Sequence, residues 1–145
     1  MRSAALTATA SFWDMPWHPA LVHFPIAFLF TASVLVIARH ATGRAALERH
    51  IAPLLVVGTA TLPFVVLTGV RDAGWFGIFG EFELGEPLLW HVLAALATIT
   101  SAAGHLVTRV RRRESLTPRT DLAFATSTAW LLLLTGLLAA EVVYA

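Results

Sequence analysis

Four stretches of this 145-residue chain contain no Asp, Glu, Lys or Arg: residues 19–38, 51–70, 87–108 and 122–140. Each is close to the roughly 20 residues that an α-helix needs to cross about 30 Å of hydrocarbon. Folding the four against one another in water would require polar sequence to cover them. A chain that is 57% hydrophobic and 13% charged, with a mean hydropathy of +0.74, has too little. Disorder is excluded for the same reason, since so apolar a chain has ample surface to bury. The pattern predicts an all-α, transmembrane four-helix bundle, a single integral membrane domain over 1–145 with lipid as its solvent.

Orientation follows from the arginines, because short cytoplasmic loops are enriched in basic residues. Eight of the ten basic residues lie between spans one and two (Arg39, Arg44, Arg49) or between spans three and four (Arg109, Arg111, Arg112, Arg113, Arg119). The connection between spans two and three holds Asp72, Glu81, Glu83 and Glu86 against Arg71 alone. The N-terminus and C-terminus are therefore expected outside. Trp13, Trp17, Trp75 and Trp90 fall at span ends on that outer side, where indole rings favour the headgroup region, whereas Trp130 is mid-span and is expected to pack. The glycine-rich stretch RDAGWFGIFGEFELGE reads as an interfacial loop against the bundle mouth. No continuous apolar core precedes SFWDMPWHP, so no cleavable signal is expected.

Ionisable residues within the spans are the informative ones, because such groups are costly at membrane depth and usually face a bundle interior, a cofactor or a pathway. His23 in span one and His91 in span three both sit roughly 6 to 8 Å below the outer boundary at 1.5 Å per residue. Two imidazoles at one depth on parallel helices can grip a shared guest. Paired histidines in a helical bundle suit haem b, and imidazole also suits a zinc or copper ion. His18, before Pro19 at a helix start, and Asp72, beside Arg71, complete the outer cluster; an ordinary ion pair also accounts for Asp72, and Glu141 reads as solvated. Ala94, Thr98 and Ala102 form a small-xxx-small ladder, which admits either a flat macrocycle beside His91 or a closely packed helix. His105 lies fourteen residues, about 21 Å, from His91 on nearly the same face, a spacing compatible with a second haem. Its partners would be His40 or His50, and His40 beside Arg39 reads as a solvated loop residue. Pro25 deprives the Leu21 carbonyl of its helical donor and is expected to bend span one near His23.

With no cysteine, thiolate metal sites, iron–sulfur ligation and disulfides are excluded. A net charge of +1 gives no reason to expect nucleic acid. No phosphate loop, EF-hand, HExxH or serine-nucleophile motif is present.

The stretch HPALVHFPIAFLF (His18 to Phe30) resembles the opening signature of the small bacterial membrane proteins grouped as domain of unknown function 2231. The TGxxD-like turn of Thr68, Gly69 and Asp72 and the early histidine of span three, His91, match that pattern as well. The resemblance covers almost the whole chain and implies a four-helix domain of the bacterial inner membrane, with histidines near one face. Some relatives look joined to, or near, redox modules such as Rieske-type iron–sulfur domains, which implies electron transfer through a separate periplasmic or membrane redox partner.

Three functions remain in view. The first is a b-type-cytochrome-like electron carrier with His23 and His91 as axial ligands of haem b. The second is a zinc or copper binding or transport protein using His18, His23, Asp72 and His91. The third is a structural subunit, or a homo-oligomer, whose histidines bridge helices. An electron carrier or binding protein fits the residues better than a hydrolytic or transferase enzyme.

Overall fold

The computed structural model describes residues 17–72, 86–111 and 116–144. The leader, Trp13, Trp75, residues 73–85 of the outer connection, Arg112 and Arg113 lie outside the described residues. The elements are α1 (His18–Leu21), α2 (His23–Thr42), a 3-10 turn (Ala45–Leu47), α3 (Glu48–Asp72), α4 (Glu86–Arg111) and α5 (Pro118–Tyr144). Four helical segments are long and apolar enough to cross a membrane: His18–Thr42, Ala45–Asp72, Leu88–Arg111 and Pro118–Val142. Among the described residues there is no strand.

Each segment covers nearly all of one charge-free run and extends beyond it at one end or both. Charged residues mark the end of the apolar sequence, yet the helices continue past them, as α3 does from Glu48 and α4 through Arg109. Span one is interrupted at Val22, which keeps α-helical angles (φ −60°, ψ −25°) between α1 and α2. Pro25 has no N–H to offer the Leu21 carbonyl, and the next bond, from Ile26 N–H to the Val22 oxygen, is stretched to 3.3 Å. The other end of α2 stops at Gly43, whose φ of +68° suits glycine and whose N–H donates to the Arg39 carbonyl.

Packing divides the bundle into two close pairs, α2 with α3 and α4 with α5, joined through α2 and α5; α3 against α4 is the looser seam. In the first pair Leu29, Ala32 and Val36 pack against Ile51, Leu55 and Leu62. Gly58 permits the approach, since a Cβ there would lie 2.7 Å from the Leu29 side chain and 3.2 Å from its backbone nitrogen.

The second pair is held differently. His91, Thr98 and His105 on α4 recur every seven residues, as do Asp121, Thr128 and Thr135 on α5. Seven residues are close to two turns, so each set lines one face, and the two faces meet. Thr98 shares a hydroxyl bond with Thr135 (3.1 Å) and Ser101 with Thr128 (2.8 Å). Ala94, Ala102 and Ala125 keep the backbones close, so the small-residue ladder serves helix approach. Trp130 lies nine residues, or two and a half turns, from buried Asp121 and so points the opposite way; it is 71% exposed rather than packed.

Replacing Gly58 with Ala is expected to cost about 1–3 kcal/mol, because the Leu29 backbone cannot retreat without moving α2. Reversible unfolding in mixed detergent micelles measures this, with the exposed Gly136→Ala change as the reference.

Candidate functional site

At the α1 end of the bundle, the HP signature and the TGxxD turn fold onto one another. Asp72, in the last turn of α3, accepts the His18 backbone N–H at 2.7 Å through Oδ2, supplying from another helix the cap that α1 lacks from its own side chains. Its Oδ1 takes Arg71 at 2.9 Å. Gly69 makes room for the imidazole, since a Cβ there would stand 2.9 Å from His18 Nδ1. With that space open, Nδ1 approaches the Val65 carbonyl to 2.9 Å. A carbonyl only accepts, so Nδ1 carries a proton, and in the corresponding neutral tautomer the lone pair lies on Nε2.

His91 repeats the arrangement on the other helical pair. Its Nδ1 donates to the Thr135 carbonyl of α5 at 3.1 Å, again leaving Nε2 as the free nitrogen of the neutral ring. The two imidazoles face each other edge to face, with centroids 6.5 Å apart and planes at 88°. The pair spans the loose seam, His18 being seated on α3 and His91 on α4. A groove of about 440 Å³ lies along the same seam; Val66 and Leu67 in its wall directly follow Val65, and Ile99 is contributed by α4.

These placements differ from the pairing expected at matched depth. His23 is exposed on α2. Five residues from His18 amount to a net turn of about 140°, so when His18 points across the bundle His23 points away. The partner of His91 is thus His18. Asp72 holds α1 and Arg71, and among the described residues no group of three or more His, Asp or Glu side chains is arranged to hold a metal ion. Glu141 is exposed.

A family profile described as "predicted membrane protein (DUF2231)" matches residues 14–145. The chain belongs to the DUF2231 family. Neither a curated protein nor a solved structure matches it. Within this DUF2231 chain, the two sequence signatures that carried the resemblance are thus the two halves of one docking device, which seats an imidazole at the mouth of the bundle.

The opposite end of the DUF2231 bundle holds a second polar cluster that residue-by-residue reading of the loops missed. Asp121, 2% exposed, accepts Arg109 Nε on Oδ1 (2.9 Å) and Arg109 Nη2 on Oδ2 (2.6 Å). It also receives His105 Nε2 on Oδ1 at 2.8 Å and His40 Nε2 on Oδ2 at 3.0 Å. Arg109 Nη1 continues to Glu48 at 2.7 Å, and Arg39 Nε stands 3.1 Å from the other Glu48 oxygen. His40 is therefore a partner of Asp121 instead of a solvated loop residue, and Arg109 is a buried cation instead of a loop marker. His105, wholly buried, stacks on Phe124 with centroids 5.5 Å apart. Gly104 again leaves room, a Cβ there meeting the Phe124 ring at 3.0 Å. His105 and His40 both turn Nε2 to Asp121, so neither presents that nitrogen to a shared guest, while His105 Nδ1 is buried without a hydrogen-bond partner. The available signal was the heptad spacing of Asp121 with Thr128 and Thr135.

Asp121→Ala strands Arg109 without its main counter-charge and is expected to destabilise the bundle by about 3–5 kcal/mol. The double variant Asp121→Ala with Arg109→Leu should recover part of that loss, read by unfolding in mixed micelles. Gly69→Ala should leave overall helicity intact by circular dichroism while displacing the His18 ring, seen as loss of its Nδ1–H resonance in ¹⁵N-labelled protein.

Proposed function

We propose that this protein is a b-type-cytochrome-like electron carrier in which His18 and His91, not His23 and His91, are the axial pair for haem b. The observation that carries the reading is the matched presentation of two imidazoles. Each is anchored through Nδ1–H on a backbone carbonyl of another helix, an arrangement that fixes the tautomer and raises the basicity of a metal-binding Nε2. The two ring centres lie 6.5 Å apart, near enough for His18 and His91 both to contact one bound group.

Haem also fits the number of ligands. Two histidines suffice for a cofactor that brings four nitrogens of its own, whereas a bare zinc or copper ion needs further protein donors, and Asp72 is already committed to the His18 backbone and Arg71. An apolar groove lined by Leu62, Pro63, Val66, Leu67 and Ile99 runs along the loose α3–α4 seam, deeper in the bundle than the two imidazoles. Bound haem supplies one-electron exchange. The chain's own residues orient the imidazoles and hold the helices that carry them. The arginine distribution supports a reading in which this end faces the periplasm and electrons pass between a membrane carrier and a periplasmic partner.

Protein purified from haem-replete cells is expected to show a visible absorption band that sharpens on reduction. His18→Ala and His91→Ala should each abolish the reduced spectrum of the wild type, while His23→Ala retains it. Colourless, well-folded wild-type protein would overturn the proposal and leave both imidazoles as bridges between helices.

A further inference from the structure

His18 and His91 present the same nitrogen, but they are not held equally. His91 lies within the continuous helix α4, and the Thr135 hydroxyl beside its acceptor is directed elsewhere, to the Leu131 carbonyl at 2.7 Å and to Thr98. His18 is the first residue of a four-residue helix. Its acceptor is also shared: the Val65 carbonyl that takes His18 Nδ1–H at 2.9 Å receives the Thr68 hydroxyl at 3.1 Å. As a carbonyl inside α3 it faces the N–H of Gly69 as well, four residues on. Three donors converge on an oxygen with two lone pairs, so each is bound less well than it would be alone. The Thr68 hydroxyl is also 3.0 Å from the Phe64 carbonyl, and its proton is divided between the two oxygens.

We infer that His18 is the labile imidazole of the pair, and that Thr68 is the positioning residue that makes it so by competing for the carbonyl that holds the ring. The Asp72 bond to the His18 backbone keeps α1 in place meanwhile, so the ring turns out of its seat and returns without the helix leaving α3. His91 stays fixed. The consequence for a bound haem rests on the function proposed above: His18 would be the more readily released of the two residues that hold it. The inequality between the rings is a property of the chain and does not depend on that function.

The test uses uniformly ¹⁵N-labelled protein in detergent micelles and reads the two imidazole Nδ1–H resonances and their exchange with water. In the wild type the His18 proton should exchange several-fold faster than that of His91. Thr68→Val removes the competing hydroxyl with little change of shape; it should slow His18 exchange by roughly two- to tenfold, on the scale of one ordinary hydrogen bond, and shift its proton downfield. Thr68→Ser restores the hydroxyl and should restore wild-type exchange, and neither variant should alter His91. Equal exchange of the two rings in the wild type, or an unchanged His18 in Thr68→Val, or the same change in both Thr68 variants, would overturn the inference. Because the readout is the proton on the imidazole, it separates the two proposals. Haem-free protein with the expected exchange pattern retains this inference and loses the function, whereas a haem protein lacking that pattern does the reverse.

Discussion

Water is absent from the hydrocarbon core of a membrane, and a polar side chain placed there must find its partner inside the protein. Much of the organisation of this bundle follows from that constraint. Most hydroxyls within the spans return to backbone carbonyls about one turn away, as Ser33 does to Leu29, and those on the α4–α5 interface also pair with one another; the buried Thr59 hydroxyl is an exception. Interhelical bonds of this kind contribute on average only about 0.6 kcal/mol each. Their larger effect is on register, since a slip of one residue along either helix would strand several polar groups together.

The two ends of the bundle meet the constraint in different ways. At the arginine-rich end, opposite charges neutralise one another: Asp121 collects Arg109, His40 and His105, and Glu48 joins Arg109 to Arg39. Residues from α2, α3, α4 and α5 meet there, so the cluster ties all the long helices. At the other end the imidazoles are satisfied by backbone carbonyls, which use one ring nitrogen and leave the second available. At one end the imidazoles meet a carboxylate and at the other backbone carbonyls, and it is at the second that two rings, His18 and His91, face each other across separate helices.

Much of the architecture was legible in the chain. Four charge-free runs of helical length identify the spans, and the TGxxD turn and HP signature identify the end at which residues of interest gather. His91 was recognisable because an imidazole inside an apolar run needs a reason to be there. His18 and His23 were both visible, but the choice between them was not. Position along a helix gives depth by simple counting, whereas the direction of a side chain depends on how the helix is rotated against its neighbours. That rotation is set by Gly69, by the Asp72 cap and by the break at Val22, which act only once α1 lies on α3.

The Asp121 cluster escaped notice for a related reason. Arg39, Arg109 and Asp121 stand next to a charge-free run and Glu48 three residues before one, where a charged residue usually marks the emergence of the chain into water. By itself the sequence determined that four helices cross a bilayer and that histidines lie near one of its faces, because hydropathy and length are summed along the chain and need no knowledge of contacts. Tertiary structure alone decided which imidazoles meet and which charges are buried, because a side chain's partner is chosen by the angle at which separate helices pack, and no local count of residues contains that angle.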